Sequence, residues 1–254
     1  MLAILSPAKT LDFESKNNFS QHTHPEFIQD SAYLVDELKQ MSSEDISNLM
    51  KISSALGELN IKRFKSWNVD FNNSNARQSI LCFKGGVYIG LDVDSFSEGD
   101  LLYSQNTLRI LSGLHGLLKP LDLIKPYRLE MGTSLKNKNG KNLYDFWGDK
   151  ITNSLNTSLE QSNANCLLNL ASNEYFKSVN YKKINVPIIS VKFLDKKKDN
   201  YKIISFFAKK ARGAMAAFVI KNKIRNTSDL KDFNGLGYSF DDSRSEKESL
   251  VFTR

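Results

Sequence analysis

Cysteine, proline and histidine are scarce in this 254-residue chain: two Cys, five Pro and three His. Two thiols in a chain this long are too few for a disulfide framework. Cys82 and Cys166 each stand in an apolar, strand-like run without a neighbouring His or second Cys, the setting of a buried structural thiol rather than a reactive thiolate. The prolines are scattered, and there is no internal repeat, Pro-rich linker or long charge block, so residues 1–254 read as one continuous domain. No run approaches the ~20 apolar residues that span a bilayer. Met1 to Leu5 is apolar but ends at Ser6-Pro7, without the basic start, long apolar core and cleavage site of a secretory signal. A soluble, cytoplasmic protein with no membrane partner is expected.

Several chemical signatures are missing too. The chain has no HExxH, no CxxC, no Walker P-loop and no strand–GxGxxG–helix unit. His22 and His24 are the only clustered histidines, in a polar loop with no spaced third ligand, so neither a metal nor a cofactor is expected.

What is present is an ordinary globular balance, 41% apolar and 25% charged. A chain of this size buries roughly 70–75% of its unfolded surface, ample for a core. Lys and Arg number 35 against 28 Asp and Glu, a formal charge of +7. A positive surplus suits an anionic partner. Only 8 of the cations are Arg, however, and 24 Asn accompany the 27 Lys, a pattern that genome composition also produces. The few Arg and their local settings therefore say more than the net charge.

The apolar pattern alternates irregularly between strand-like and helix-like stretches. Strands are expected at Leu2–Leu5, within 79–90, at Asn165–Leu170, at 187–194, at 201–207 and at Leu250–Phe252. A hairpin is expected across Asp195–Asn200. Helices are expected from Pro25, from Ser42 or Ser43, after Lys51–Ser54, from Ser97 through Leu108 and Leu111, over Asp145–Leu159 and over Lys209–Lys223. In the third of these, Ala55, Leu56, Leu59 and Phe64 form the expected inner side. Residues 14–25 read as loop. This is an α/β chain with a mixed sheet surrounded by helices, not a Rossmann fold.

Four constellations carry chemistry. The first is the helical pair at about 43–67, joined by the short turn Lys51-Ile52-Ser53-Ser54. A helix start there offers free N–H groups and a favourable dipole to a phosphate, and Lys51, Lys62, Arg63 and Lys65 surround it. This resembles a helix-hairpin-helix element that grips DNA backbone, except that Ser53 and Ser54 stand where Gly-hydrophobic-Gly is usual. It reads equally as a plain helical hairpin with a solvated basic face.

The second constellation is Phe207 to Met215. Lys209, Lys210 and Arg212 are expected in the first turn of a helix, the unfavourable end for cations unless an anion binds. Small residues Ala208, Ala211, Gly213 and Ala214 would let that anion approach the backbone. The third is the Gly- and Pro-rich stretch 109–130, with Arg109, Ser112, His115, Arg128 and Glu130. His115, alone among apolar residues, reads as a hydrogen-bonded structural histidine. The fourth is Asn169 to Phe176, where Ser172 is placed to cap a helix and Glu174 reads as a base or as a favourable first-turn acid. With Lys9, the residues Ser112, Arg128, Glu130, Ser172 and Glu174 form a candidate cleft.

A resemblance joins these pieces. Ser6-Pro7-Ala8-Lys9-Thr10-Leu11-Asp12-Phe13, Phe83-Lys84-Gly85-Gly86-Val87-Tyr88 and Leu111-Ser112-Gly113-Leu114-His115-Gly116 resemble the YaaA family of peroxide-stress proteins. So do Lys119-Pro120-Leu121-Asp122, Pro126 to Gly132, Phe146-Trp147-Gly148, Asn169-Leu170-Ala171-Ser172 and Lys209-Lys210-Ala211-Arg212-Gly213. The resemblance runs over nearly the whole chain. It implies a cytoplasmic bacterial protein that protects against hydrogen peroxide, associated with lowering free iron and with DNA repair. It further implies a family-specific mixed α/β fold, a positively charged cleft, a helix-hairpin-helix element at the 43–67 pair, and duplex or branched DNA as partner.

Two functions follow as expectations. One is a DNA-binding protein that holds backbone phosphates through Lys51, Ser53, Ser54, Lys62, Arg63, Lys65, Lys209, Lys210 and Arg212, without strong sequence preference. The other is an enzyme acting on a nucleic-acid base or a nucleotide-like small molecule in the cleft. Direct iron binding is a third reading, and no ligand set in the sequence favours it.

Overall fold

The computed structural model describes residues 1–15, 19–198 and 200–254, so part of the loop expected at 14–25 and one residue of the expected hairpin turn lie outside the described residues. The first strand, β1 (Leu2–Leu5), is followed by a two-residue strand, β2 (Thr10–Leu11), and three helices, α1 (Ile28–Lys39), α2 (Ser43–Met50) and α3 (Ser54–Ser66). Short elements come next: β3 (Arg77–Gln78), α4 (Ser79–Cys82), β4 (Phe83–Lys84) and α5 (Gly86–Leu91). Helix α6 (Glu98–Thr107) runs into β5 (Leu108–Ser112), β6 (Gly116–Leu118) and β7 (Leu123–Ile124). Helices α7 (Leu143–Trp147) and α8 (Lys150–Gln161) lead to β8 (Leu167–Asn169) and the short α9 (Asn173–Phe176). The chain ends with β9 (Ile188–Lys197), β10 (Asn200–Lys202), α10 (Ser205–Lys221), β11 (Ser239–Phe240) and β12 (Ser249–Thr253).

The main sheet runs β11-β12-β9-β8-β1-β5-β6, with β10 folded back on β9. The central strands β12, β9, β8, β1 and β5 are parallel, and the edge pairs are antiparallel. Parallel strands are covered on both faces and so carry continuous apolar runs rather than alternating ones. Leu2 to Leu5 and Leu108 to Ser112 are buried at every position. Ile4 pairs with Asn169 on one side and Arg109 on the other. From β1 the chain next reaches the sheet at β5, on one side; from β8 it proceeds to β9, on the other. Adjacent strands whose connections leave in opposite directions open a crevice at their carboxyl ends. The mixed α/β architecture is the expected one.

Local differences have local causes. Leu108–Ser112 is strand, not the end of α6, because β1 and β6 pair with it. Ser79–Cys82 is a helical turn rather than strand: the Ser79 N–H donates to the Asp122 carbonyl and its hydroxyl to the Lys119 carbonyl. Gly148, at φ +47°, breaks the helix expected over Asp145–Leu159 into α7 and α8. The hairpin β9–β10 forms as expected, but β10 ends at Lys202 and α10 begins at Ser205. Lys209, Lys210 and Arg212 therefore lie past the first turn of α10, and the argument from unfavourable helix-dipole position does not hold. In α3 the buried positions are Gly57, Asn60, Ile61 and Phe64, whereas Leu56 and Leu59 are exposed. Cys82 and Cys166 are buried free thiols; burial pushes Cys82 up to about 12 and raises Cys166 as well. Among the described residues, no helix is long and apolar enough to cross a membrane.

Candidate functional site at the carboxyl edge of the sheet

The ends of β1 and β8 open into a cleft of about 630 Å³, within the range of small-ligand sites. Ser6 to Thr10 follow β1, and Leu170 to Tyr175 follow β8. The strap Tyr127–Glu130, the β4–α5 turn at Lys84–Val87 and the start of α10 complete the walls. The lining carries five cations, Lys9, Lys84, Arg128, Lys209 and Arg212, against two carboxylates, Glu130 and Glu174.

Five of the six residues expected in a cleft are there: Lys9, Arg128, Glu130, Ser172 and Glu174. Glu130 is clamped from both sides. Lys9 Nζ lies 2.7 Å from Oε2 and Arg128 donates to Oε1 at 3.0 Å. The Arg128 Nε is buried with no partner among the described residues. Glu174 accepts the Gly132 N–H at 3.0 Å, so its carboxylate ties the strap to α9. Ser172 occupies the N-cap position of α9, but its side chain makes no capping bond. Instead Ser6 Oγ accepts the Ser172 N–H at 2.8 Å and lies 3.3 Å from the Ser172 hydroxyl, joining the two strand ends. Ser112 sits outside the lining. It is fully buried beneath it, 2.7 Å from the hydroxyl of Tyr127, which does line the cleft.

Lys209 and Arg212, one turn apart on α10, both face the cleft; Lys210 does not line it. Asp12 lies 3.6 Å from Lys84, and two cleft cations share Glu130. The side chains of Lys209 and Arg212 make no hydrogen bond or ion pair among the described residues. Arg212 is only partly exposed, and desolvation lowers its pKa.

The small residues of α10 serve packing rather than anion approach. A Cβ on Gly213 would overlap the Val87 carbonyl of α5, and one on Gly90 would overlap the Lys210 carbonyl of α10. The two helices thus touch backbone to backbone, and this packing holds Lys209 and Arg212 beside the Gly85–Gly86 turn.

The helical pair α2–α3 lies outside the cleft lining. Ser42 and Asp45 form a capping box on α2, Lys51 ends it in the left-handed region at φ 53°, and Ser53 Oγ caps α3 through the Leu56 N–H. Gly57 lets α3 approach Ser43 and Ser47 of α2. Lys51, Ser53, Ser54, Lys62 and Lys65 are exposed, whereas Arg63 is half-buried and burial lowers its pKa. None of these four cations is paired among the described residues.

His115 is fully buried, 2.9 Å from Ser31 Oγ through Nδ1, with Nε2 unpartnered among the described residues. Desolvation holds it down at about 3, neutral at working pH. Arg109 is also buried, donating to Ser158 Oγ and the Gln105 carbonyl. Both are parts of the core, not of the cleft. Among the described residues, no group of three or more His, Cys, Asp or Glu is gathered to hold a metal.

A mixed α/β protein with a polar cleft at its strand switch is the class these features define. Residues 1–244 match the family described as peroxide stress protein YaaA, and the chain belongs to that family. Two UPF0246 proteins of Aliivibrio fischeri, from strains ES114 and MJ11, are each 52% identical over 254 residues, covering 100% of this chain and 98% of theirs. A role in peroxide stress follows from the family.

Proposed function

We propose that the protein binds DNA in the peroxide response by holding backbone phosphates. The observation that carries this reading is Arg212, a partly buried residue in a cation-rich cleft whose guanidinium makes no ion pair among the described residues. An unpaired, partly desolvated charge is costly, and a phosphate offers the planar fork the bidentate partner it lacks. Lys209 stands one turn away in the same lining, so one anion-bearing ligand meets both cations. Lys210, outside the cleft lining, serves the same strand of phosphates along α10. The exposed α2–α3 turn, acting as a helix-hairpin-helix element, adds a second grip through Lys51, Ser53, Ser54, Lys62, Arg63 and Lys65. Phosphate contacts carry no base information, so duplex and branched DNA both qualify. Peroxide and ferrous iron generate hydroxyl radical, and DNA is a principal target, which connects such binding with peroxide stress. Fluorescence anisotropy of a labelled duplex and a four-way junction across several salt concentrations tests the reading. Tight binding with a steep log–log salt slope supports it; no binding near physiological salt overturns it.

A second reading is favoured by one observation: Lys9, Arg128, Glu130, Ser172 and Glu174 converge in one cleft. Phosphate gripping does not need two carboxylates. An enzyme acting on a base or a nucleotide-like small molecule would. Calorimetric titration with mononucleotides separates the two, since a phosphate grip binds them weakly and a nucleotide site binds them well.

A further inference from the structure

The charge of this chain is concentrated. Residues 192–212 hold eight Lys or Arg and two Asp, a net of +6 out of +7 for the whole chain. This window covers most of the β9–β10 hairpin and the start of α10. Lys192, Lys196, Lys197 and Lys202 are exposed. Among the described residues, none of the eight cations makes an ion pair or a side-chain hydrogen bond. Asp195 does not neutralise them, because it is buried and held by Arg254 Nε at 2.6 Å and by the Tyr238 hydroxyl at 2.8 Å.

Apolar side chains stand among these cations. Phe206 is 66% exposed and Ile203 is 55% exposed, and Ile203 lines the cleft together with Lys209. Phe207 is covered on one face by the Arg254 guanidinium, 4.3 Å from its ring centre. Phe206 and Phe207 form a T-shaped pair with ring centres 5.6 Å apart, and most of the Phe206 side chain is open to solvent. On α10, Lys209 and Lys210 are the third and fourth residues after Phe206 and lie on its side of the helix.

We infer that this surface is a stacking platform for unpaired nucleobases, with single-stranded or locally opened DNA as its ligand; the inference rests on the phosphate-binding reading above. A polyanion is the partner that a cluster of unpaired cations attracts. An aromatic face beside them adds stacking, which is available only to bases not already stacked inside a duplex. The adjoining concave cleft accepts a splayed nucleotide. A lipid surface would use the same lysines and apolar tips but would leave that concavity unfilled.

The experiment compares labelled oligo-dT with a duplex of equal length, using wild-type protein, Phe206→Ala and Phe206→Trp. Phe206 is exposed, so neither change disturbs the core. The expected result is that Phe206→Ala weakens oligo-dT about tenfold, as for the loss of one stacked base. Duplex affinity and both salt slopes stay unchanged. Phe206→Trp retains oligo-dT binding, and its fluorescence is quenched on titration. If Phe206→Ala is silent while both nucleic acids bind with full salt slopes, the platform is wrong and phosphate gripping stands. If neither nucleic acid binds, both fail. A Phe206→Trp signal that ignores oligo-dT but shifts to the blue with phosphatidylserine vesicles overturns the inference in favour of a membrane surface.

Discussion

Gly90 of α5 lies directly against the carbonyl of Lys210 on α10, so close that a single added Cβ would overlap that oxygen. Gly213 stands in the reciprocal relation to the Val87 carbonyl. Fold and site meet here, because this packing fixes the helix that presents Lys209 and Arg212 to the cleft. Backbone atoms on both sides leave little room to yield. Gly90→Ala and Gly213→Ala should each lower stability by about 1–3 kcal/mol, the usual cost of overpacking, and weaken DNA binding as well. Thermal melts check this; an unchanged Tm for both variants would contradict the packing account.

His115 sets a pH limit. Its folded pKa of about 3 lies below its ordinary 6.5 because burial disfavours the charged form. Its contribution is full above pH 6.5. Below that, the folded state loses stability as pH falls, because the unfolded chain takes up a proton that the buried ring does not. Asp122 works the other way. Burial raises it to about 6 from 3.8, so its stabilisation is full below 3.8 and lost as pH rises through 6. The comparison of wild type with His115→Gln isolates the histidine: denaturant titrations from pH 7 to pH 4 should show a shallower loss in the variant. Parallel curves would remove His115 as the cause.

The two thiols should be inert. Cys82 is pushed up to about 12 and both side chains are buried, and only the thiolate reacts. A thiol reagent should label neither in the native protein and two per chain after denaturation. Rapid native labelling, or their oxidation by mild peroxide, would point to a thiol-based role that this geometry opposes.

Glu130 distinguishes binding from chemistry. It neutralises Lys9 and Arg128 at 2.7 and 3.0 Å. Glu130→Gln keeps the shape and removes the charge. On the phosphate-binding account, DNA affinity should rise roughly threefold, the scale of a partly exposed ion pair. Unchanged DNA affinity combined with loss of turnover on a nucleotide would assign Glu130 to an enzyme instead.

Legibility in the sequence follows the range of the interactions. The residues of the capping boxes Ser42/Asp45 and Ser97/Asp100 lie three positions apart, are readable as spacing, and are found in place. Leu108–Leu111 is not readable as strand, because its state is set by β1, about a hundred positions earlier in the chain. The inner face of α3 escapes an apolar pattern because two of its buried positions are Gly57 and Asn60, which such a pattern does not count. Gly213 looks like room for an anion because α5, which fills that room, is distant in sequence. The polar cleft residues are visible as chemistry unused by the core in Gly- and Pro-rich loops. Phe206 is not, because the strand expected over 201–207 hides the early start of α10. Ser6 and Lys84 belong to recognisable motifs, but their place in the lining requires the fold.

The central claim is that unpaired cations of the cleft hold DNA phosphates, and the double change Lys209→Ala with Arg212→Ala tests it most directly. The measurement is the salt dependence of duplex affinity for wild type and variant. The account predicts weaker binding and a log–log slope reduced by roughly 0.9 for each phosphate-binding cation removed, with the melting temperature not lowered. A variant that binds with wild-type affinity and slope would contradict it.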